Sequence, residues 1–386
     1  MPNNAADVLA RLETAAAAAS LRSNEIEDLG RLPSDIVESL IDSGVFRLWI
    51  PTKHDGYQAD IQTGLQAIER ASYHDGAVGW CVMIGCTTSL RSGYLPEEVA
   101  TEIYGDPRAV TGGFGRPSGT GVVTADGGLR VSGQWPWGSG SSHCTWLGGG
   151  VNVVDENGEP SALPDGGQAP FVFFRRDEVD LLDSWHVAGL KGSGSTDYVV
   201  DNVDIPAGRW ISMTGNAPVV DGPLYRYSHL GALAVGIASV SLGLAARAVD
   251  ELIALGTKMP DASSRTLAER APVQADLAQA DVNVRAARAF VAETVAGCWA
   301  AAEVGEIGDE HRRLLRLAAN NAVERSTAAV DLCYRAAGGT AVYRTSPLQR
   351  IFRDAHVATQ HVMTAPRMME PLGRMLFGLP TSTAQF

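Results

Sequence analysis

Three segments of this 386-residue chain carry side chains suited to chemistry, and a histidine stands out in one of them. His361 lies near the end of the stretch LCYRAAGGTAVYRTSPLQRIFRDAHVATQHVM, which runs from Leu332 to Met363. An imidazole with a pKa near neutrality can donate or accept a proton under cellular conditions, although a lone histidine is also a common structural residue. The stretch therefore offers His361 as an acid-base candidate, with His356 as the alternative.

Two further segments combine glycine with hydroxyl-bearing and aromatic side chains. The first, GQWPWGSGSSHCTW, spans residues 133–146, and the second, WHVAGLKGSGSTD, spans residues 185–197. Glycine lets a backbone approach a ligand closely, and serine or threonine hydroxyls can hydrogen-bond to it. A glycine-rich hairpin without a ligand, or tryptophans that belong to a core, would explain the same letters. The two segments are candidates for a small-molecule site.

The overall charge argues against two classes of partner. The chain has a net charge of -13 at pH 7 and a pI near 5.1, whereas nucleic acids and anionic membranes require clustered Lys and Arg. The N-terminal residues lack the positive segment and apolar core of a secretory signal. The apolar window from Leu230 to Ala246 is rich in Gly, Ala and Ser, which is typical of a packed helix. We expect a cytoplasmic protein that binds neither nucleic acid nor membrane.

Cysteine spacing and nucleotide motifs narrow the chemistry further. The cysteines at positions 81, 86, 144, 298 and 333 form no CxxC pair and have no histidine at metal-ligand spacing. Reduced, buried thiols are expected and a metal site is not. The sequence shows neither a P-loop nor a βαβ unit with G-x-G-x-x-G, so no NAD(P)H site is expected in this chain.

The spacing of apolar residues predicts the three regions that position these segments. Residues 1–108 follow a helical period, residues 109–213 a period of two interrupted by turn residues, and residues 214–386 a helical period again. In the last region we predict helices at 233–255, 272–302, 311–337 and 351–376. The predicted fold class is α+β, mostly α, with an N-terminal helical domain, a middle β-barrel or sandwich and a C-terminal four-helix bundle.

Several motifs, in this order, resemble the acyl-CoA dehydrogenase superfamily over nearly the full chain. They are a Gly-Gly turn at 338–339, an R-D-A run at 353–355, the G-L-K-G-S turn at 189–193 and the V-D-I-P strand end at 203–206. Where dehydrogenases of this superfamily carry a Tyr-Glu pair, this chain has His361 and Val362, and their alternative glutamate position, within 225–230, has no acid either. Valine cannot take a proton from the carbon next to a thioester. Dehydrogenation is therefore disfavoured.

The substitutions resemble instead the flavin-dependent two-component hydroxylases built on the same fold. Their pattern G-x-W-x-[FYW]-x-S-G-x-x-x-[AC]-x-W matches residues 133–146. The resemblance implies that Trp137 packs near the flavin ring and that Ser139 hydrogen-bonds near its N5 or C4a edge. The other implied flavin-binding residues are Gly140, Gly192, Ser193, Ser195 and Thr196. His361 would act on a C4a-hydroperoxide of the flavin, which makes His361 and Ser139 the implied catalytic residues.

The resemblance also indicates a substrate pocket and a weaker grip on the flavin. Hydroxylases of this type often carry a histidine where this chain has Thr87. Thr87, Tyr225 and His229 are the expected pocket residues, although aromatic residues at a helix start are as often involved in packing. Dehydrogenases hold the ADP half of FAD partly through an R-x-x-F-G run, and here the corresponding segment has Arg265 and Arg270 without Phe-Gly. The expected cofactor is reduced flavin, FMNH2 or FADH2, delivered by another protein.

The function implied is that of the oxygenase component of a two-component flavin-dependent monooxygenase. It would use reduced flavin and O2 to oxygenate a small, aromatic or polycyclic substrate, with a separate NAD(P)H:flavin reductase as partner. Small residues on the C-terminal helices permit close packing between copies, so a homotetramer is expected, with a dimer as the alternative. The rival interpretations are an acyl-CoA dehydrogenase-type FAD oxidoreductase and a non-catalytic flavin-fold binding protein.

Overall fold

Helices form the first part of the fold, as the apolar spacing predicts. The computed structural model describes residues 4–163, 169–212, 217–259, 265–305, 307–383 and 386. The N-terminal helices are α1 (Ala5–Ser20), α2 (Ser23–Leu29), α3 (Ser34–Ser43), α4 (Ile61–His74), α5 (Gly76–Ser89) and α6 (Glu97–Tyr104). Gly44 ends α3 with a φ of 82°, a left-handed conformation that glycine adopts without steric cost.

The middle of the chain forms a mixed sheet. Its strands are β1 (Thr111–Val123), β2 (Leu129–Gly138), β3 (Trp146–Val154), β4 (Pro170–Arg175), β5 (Asp180–Leu181), β6 (Thr196–Ile205) and β7 (Trp210–Ser212). Their spatial order is β5-β6-β2-β1-β3-β4-β7, with β1 and β3 parallel and the other neighbouring pairs antiparallel. Two register shifts around Pro117 bend β1. Alternation of apolar residues predicts strands at 129–137, 145–154, 170–174 and 198–203, and these are confirmed as β2, β3, β4 and β6.

Helices return after the sheet. They are α7 (Pro223–Arg226), α8 (His229–Ala254), α9 (Ala271–Glu303), α10 (Asp309–Ala337), α11 (Pro347–Ala358) and α12 (Met369–Leu376). Three of them are long: α8, α9 and α10. The prediction of one helix over 351–376 is wrong, because α11 ends at Ala358 and α12 begins only at Met369. Pro366 lies between them and has no N–H to continue a helix. The interruption places His361 in a turn.

Short 3₁₀ turns connect these elements. They are Val45–Arg47, Thr52–His54, Leu90–Tyr94, Arg176–Glu178, Lys191–Ser193, Leu255–Thr257, Gly338–Val342 and Pro366–Met368. Lys191–Ser193 lies in the second glycine-rich segment, directly before β6. The predicted ligand-binding turn therefore lies between β5 and β6 of the sheet.

Helix α5 runs through the centre of the molecule and brings helices and sheet together. Every residue of α5 except Ile84 is buried. The helix packs against α4, α8, β1 and the Lys191–Ser193 turn. Asp75 begins α5, and its carboxylate accepts hydrogen bonds from the N–H groups of Ala77 and Val78 at 2.9 and 3.1 Å. A side chain on α5 can therefore contact residues from all three regions.

Two expectations about burial can be compared with the fold. All five cysteines are buried with free thiols, as expected. The helical stretch His229–Thr257 is long and apolar enough to cross a membrane, but 83% of its apolar window is buried inside the protein, as in a core helix. The domain boundary predicted at residue 213 lies outside the described residues, and the division into three domains remains a prediction.

Candidate active site

Three serine hydroxyls form a buried chain between the two glycine-rich segments. Ser139, at the end of β2, lies with its Oγ 2.7 Å from the Oγ of Ser195, and Ser195 Oγ lies 2.7 Å from Ser193 Oγ. The chain ends where the Ser193 hydroxyl donates to the Leu190 carbonyl at 2.7 Å. All three serines are less than 5% exposed. Residues that the sequence separates by more than fifty positions thus share one hydrogen-bonded network.

Trp80 of α5 joins this hydroxyl chain to the candidate histidine. Its indole N–H donates to Ser139 Oγ at 3.0 Å, and its ring meets the His361 imidazole edge-on, with ring centroids 5.9 Å apart. The sequence motifs did not identify Trp80 as a site residue. Its burial next to two predicted residues is a tertiary effect, so no local signal separates it from a core tryptophan.

His361 is held in the turn after α11 with a defined tautomer. Its Nδ1 accepts a hydrogen bond from the Met363 N–H at 3.2 Å. A neutral imidazole whose Nδ1 accepts carries its proton on Nε2. Burial, with a smaller effect of the Arg316 charge, lowers the pKa of His361 to about 4. The premise of a pKa near neutrality is therefore wrong, because desolvation disfavours the charged ring. At pH 7, His361 can donate only as a neutral N–H group.

Trp137 contrasts with the buried serine chain beside it. Its side chain is 59% exposed, and its ring contacts Phe114 with centroids 5.7 Å apart. The residue has a φ of 56°, which is uncommon for a bulky side chain and marks local strain. An exposed, strained tryptophan is not part of the core. It presents an accessible aromatic surface close to Ser139, two residues along the chain.

The second glycine-rich segment folds as a tight turn that packs against α2 and α5. Leu190 and Gly194 adopt left-handed φ values of 51° and 54°. A Cβ on Gly192 would lie 2.1 Å from Ile26 Cγ2, so packing requires this glycine. Gly140 donates its N–H to the Ser193 carbonyl at 2.9 Å and connects the two segments. Thr196 lies apart from the hydroxyl chain, because its hydroxyl donates to the Leu182 carbonyl.

The three expected pocket residues occupy different environments. Thr87 is 5% exposed and its hydroxyl donates to the Met83 carbonyl at 2.8 Å. Tyr225 is 1% exposed and its hydroxyl donates to the Trp49 carbonyl at 3.2 Å, so the structure assigns it to packing. His229 keeps an accessible edge, and its ring lies tilted against Tyr94 with centroids 5.4 Å apart. Its buried Nε2 finds no hydrogen-bond partner among the described residues. Of the three, His229 has unused hydrogen-bonding capacity.

An ion-pair cluster attaches the turn at residues 188–195, called the cradle turn below, to α11. The Glu27 carboxylate lies 2.6 Å from Arg353 Nη1, 3.1 Å from Arg350 Nε and 3.5 Å from Lys191 Nζ. Burial alone would raise the pKa of Glu27, but the hydrogen bonds and charges of Arg353 and Arg350 outweigh it and lower the pKa to about 2. Arg353 also donates to the Ala188 carbonyl at 2.7 Å. The R-D-A run therefore holds α11 against the turn at 188–195.

Comparison with known proteins places this arrangement in a family. A family model for the acyl-CoA dehydrogenase C-terminal domain matches residues 235–366. The chain is 30% identical over 361 residues to the indole-3-acetate monooxygenase of Pseudomonas putida, which covers 92% of this chain and 90% of that protein. It is 30% identical over 395 residues to the flavin-dependent monooxygenase oxygenase subunit HsaA of Mycobacterium tuberculosis, covering 98% and 97%. The chain belongs to the flavin-dependent monooxygenases.

A solved structure gives the same result for the fold and the cofactor. The monooxygenase resembles XiaF from Streptomyces sp. in complex with FADH2 and glycerol, with a TM-score of 0.90, 26% identity and coverage of 97% of this chain and 96% of XiaF. The predicted acyl-CoA dehydrogenase-like fold and the predicted oxygenase component that uses reduced flavin are confirmed. HsaA is named as the oxygenase subunit of a flavin-dependent monooxygenase.

The donors and surfaces around Ser139 fit a flavin. An isoalloxazine ring has flat, largely apolar faces and an edge of hydrogen-bonding nitrogen and oxygen atoms. The monooxygenase offers the buried Ser139 hydroxyl to such an edge and the exposed Trp137 ring to such a face. A Cβ on Gly140 would lie 3.0 Å from the His143 ring, so there is little room for a side chain at this position. These residues are the ones suited to hold the group.

Proposed function

We propose that this monooxygenase oxygenates a small aromatic or polycyclic substrate at a site formed by Trp80, Trp137, Ser139 and His361. The observation that carries the proposal is Trp80, which hydrogen-bonds Ser139 and contacts the His361 ring at the same time. The exposed Trp137 ring lies beside the buried chain of serine hydroxyls that begins at Ser139. The relatives named above support the reaction class, since one of them is an indole-3-acetate monooxygenase.

Each of these residues has one task in the proposed reaction. When bound, reduced flavin supplies two electrons and activates O2, so that one oxygen atom reaches the substrate and the other leaves as water. Ser139 orients the edge of the flavin ring and Trp137 orients its face. The turn with Gly192, Ser193 and Ser195 holds the Ser139 hydroxyl in position through the serine hydrogen bonds. His361 donates a hydrogen bond through Nε2–H, which the Met363 contact fixes in place. Burial around Trp80 excludes water from the reacting atoms.

The substrate is proposed to lie between α5 and the start of α8. His229 contributes a neutral imidazole, because burial lowers its pKa to about 3, with a smaller effect of the Arg91 charge. Its buried Nε2 finds no partner among the described residues and can bind a hydroxyl or N–H group of a substrate. Thr87 lies on α5, and its oxygen keeps acceptor capacity after donating to Met83. Tyr225 supports this wall by packing.

We also propose the partner, assembly and location of the monooxygenase. A separate NAD(P)H:flavin reductase supplies FMNH2 or FADH2 in the cytoplasm. The C-terminal helices and turns carry exposed apolar side chains, including Val342, Tyr343, Leu376 and Phe377 at 66–85% exposure. Exposed apolar residues on this scale favour contacts between copies, and a homotetramer would bury them. Light scattering that gives a monomer at micromolar concentration would exclude this assembly.

One experiment tests the proposed reaction directly. The protein is mixed anaerobically with FMNH2 in one series and FADH2 in another, together with phenols, indoles or polycyclic phenols, and then exposed to ¹⁸O-labelled O2. We expect a product that carries one ¹⁸O atom and less H2O2 than the free flavin releases. His361→Ala should release more H2O2, whereas His356→Ala should not, because His356 is paired with Asp331 at 2.9 Å instead of contacting Trp80. Failure to bind either reduced flavin would overturn the proposal.

A further inference from the structure

Asp354 is a buried carboxyl group to which the proposed reaction assigns no task. It lies on α11, is 4% exposed, and accepts a hydrogen bond from the Leu190 N–H at 2.5 Å. The Leu190 carbonyl, on the same residue, accepts the last hydrogen bond of the serine chain from Ser193. One residue of the turn thus connects the Asp354 side chain to the hydroxyls that end at Ser139.

A second buried carboxyl group, Asp75, lies next to Asp354. Asp75 is 5% exposed and caps α5, the helix that carries Trp80. A Cβ added to Gly76, the residue after Asp75, would lie 2.8 Å from Asp354 Oδ2. Position 76 therefore accommodates only glycine, which lets the Asp354 carboxyl contact the start of α5. Three elements therefore meet at this pair: α5, α11 and the turn at 190–195.

Two carboxyl groups this close and this buried cannot easily both be ionised. Arg350 and Arg353 of α11 lie beside the pair, with Glu27 of α2 paired to both arginines. His74 of α4 and Arg247 of α8 line the same cavity, and the buried Cys81 thiol of α5 lies within the electrostatic influence of Asp75. Burial and, to a smaller extent, the charge of Asp75 raise the pKa of Asp354 to about 7 against the opposing effects of the Leu190 N–H and the two arginines. Burial also raises the pKa of Asp75. The Asp354 carboxyl is therefore partly protonated near neutral pH.

We propose that Asp354, acting with Asp75, is a positioning residue of the oxygenation site. The protonated carboxyl of Asp354 ties the turn at 190–195 to α5 and α11, and so sets the spacing between the Ser139 hydroxyl chain and the Trp80–His361 pair. Loss of the proton strengthens the bond that the Leu190 N–H donates to Asp354, but burial and repulsion from Asp75 outweigh this gain, since the net effect on the pKa of Asp354 is a rise. The ionised pair therefore weakens the packing of the turn against α5 and α11. The inference rests on the proposed function for its catalytic meaning, but its structural part does not require flavin.

A small cavity gives the carboxyl pair a route for proton exchange. The cavity has a volume of about 50 Å³ and is lined by both aspartates together with Ser23, Ser72 and Arg350, among others. A polar cavity of this size can hold water. The proton on the pair can therefore exchange with solvent without passing through the flavin site, which makes the pair responsive to pH in the folded protein.

The test compares two substitutions of Asp354 with a matched control. Asp354→Asn stays neutral at every pH and keeps an oxygen that can accept from the Leu190 N–H. Asp354→Ala removes the acceptor. Asp331→Asn, on a half-exposed carboxylate that contacts His356, is the control. Circular dichroism and thermal unfolding first verify that each variant is folded.

Three readouts follow, two of which need no flavin. Amide hydrogen exchange at Leu190 should quicken by roughly tenfold or more in Asp354→Ala, since a buried hydrogen bond is lost. Infrared difference spectra should show a protonated carboxyl that titrates near pH 7 in the wild type and is absent from Asp354→Asn. Anaerobic FMNH2 titrations should give an affinity that falls several-fold from about pH 6 to about pH 8.5 in the wild type, relative to Asp354→Asn, while Asp331→Asn behaves as the wild type.

The outcomes separate this inference from the proposed function. If the wild type binds no reduced flavin but the exchange and infrared results appear, the proposed function fails and the positioning of the turn stands. If FMNH2 binds but Leu190 exchange, the infrared band and the pH dependence are the same in the wild type and in folded Asp354→Asn and Asp354→Ala, Asp354 does not position the turn. Rescue of affinity at high pH by Asp354→Asn, but not by Asp354→Ala, is the result that a purely space-filling role would not give.

Discussion

Trp80 contacts His361 edge-on, with ring centroids 5.9 Å apart and ring planes at 62°. The same indole donates its N–H to Ser139 Oγ at 3.0 Å. These two contacts connect a turn after α11 with the end of β2 through a residue of the central helix α5. The geometry of the proposed oxygenation site therefore depends on one tryptophan that reaches both catalytic candidates.

Replacing Trp80 with phenylalanine removes the indole N–H but keeps an aromatic ring, so it should weaken the link between Ser139 and His361 without leaving a large cavity. We expect Trp80→Phe to keep a ring against His361 but to leave Ser139 with only its contact to Ser195. The net value of such a hydrogen bond is about 0.5–1.5 kcal/mol, so the yield of oxygenated product per flavin should fall roughly 2-fold to 10-fold. Trp299→Phe, which removes an indole bond to Glu303 on α9, is the matched control and should leave the yield unchanged.

Loss of the His361 imidazole should affect the reaction more than the fold. We expect His361→Ala to lower the rate of oxygenation by roughly 10²-fold to 10⁴-fold, the usual effect of removing a positioned acid-base group. Single-turnover measurements of product against released H2O2 provide the test. Wild-type product yield in His361→Ala would remove His361 from the proposed mechanism. Because His361 is neutral in the folded protein, the wild-type yield should not decrease between about pH 6 and pH 8 through titration of this ring.

The contact between the cradle turn and α11 leaves no room for a methyl group at Gly189. A Cβ there would lie 2.4 Å from the Arg353 carbonyl oxygen. We expect Gly189→Ala to displace α11 and to lower the free energy of unfolding by about 1–3 kcal/mol, as overpacking does. Gly297→Ala, in an exposed part of α9 with nothing within 4 Å of the new methyl, should be neutral or stabilise by up to about 1 kcal/mol. Denaturant unfolding measures the free energy of unfolding of both variants. Equal losses in the two would show that the glycine-to-alanine change itself, and not the contact at Gly189, lowers the stability.

Acid should destabilise the protein through its buried histidines. Burial lowers the pKa of His143 to about 4, so the unfolded chain takes up a proton near the ordinary histidine pKa of about 6.5 and the folded chain does not. Stability is then present above pH 6.5 and is lost as pH falls toward 4, by at most about 1.4 kcal/mol per pH unit for this ring. His143→Leu should reduce that slope in unfolding experiments, and His186→Leu, at an exposed position, should not. Equal slopes for both variants would contradict the assignment.

The rival dehydrogenase interpretation makes a different prediction. The two positions where dehydrogenases carry a glutamate hold Val362, which is 44% exposed, and the segment with Ser228, which caps α8. These positions read His361-Val362 and Ser228-His229, so neither carries the carboxylate that would take a proton from a substrate carbon. We expect no bleaching of bound FAD when saturated acyl-CoA thioesters are added anaerobically. Bleaching by butyryl- or octanoyl-CoA would support the rival interpretation, and Val362→Glu alone should not create this activity.

The sequence by itself predicted most of the architecture and the reaction class. Apolar spacing predicted α8, α9, α10 and four of the strands, because helices and strands bury one face with different periods. The order of the motifs, with histidine and valine in place of tyrosine and glutamate, indicated a flavin-dependent oxygenase, and family membership bears this out. These properties depend on local pattern and on residue type, which a sequence displays directly.

Only the tertiary structure decided how the candidates act. It separated Tyr225, whose hydroxyl is bonded in the core, from His229, and it turned Thr196 away from Ser195. Burial in the folded protein lowers the pKa of His361, because desolvation depends on every atom that surrounds the ring and not on its sequence neighbours. The tertiary structure also brought Asp75 and Asp354 together. Long-range packing of α5, α11 and the cradle turn creates these environments, and no periodicity in the chain encodes which buried side chains will meet there.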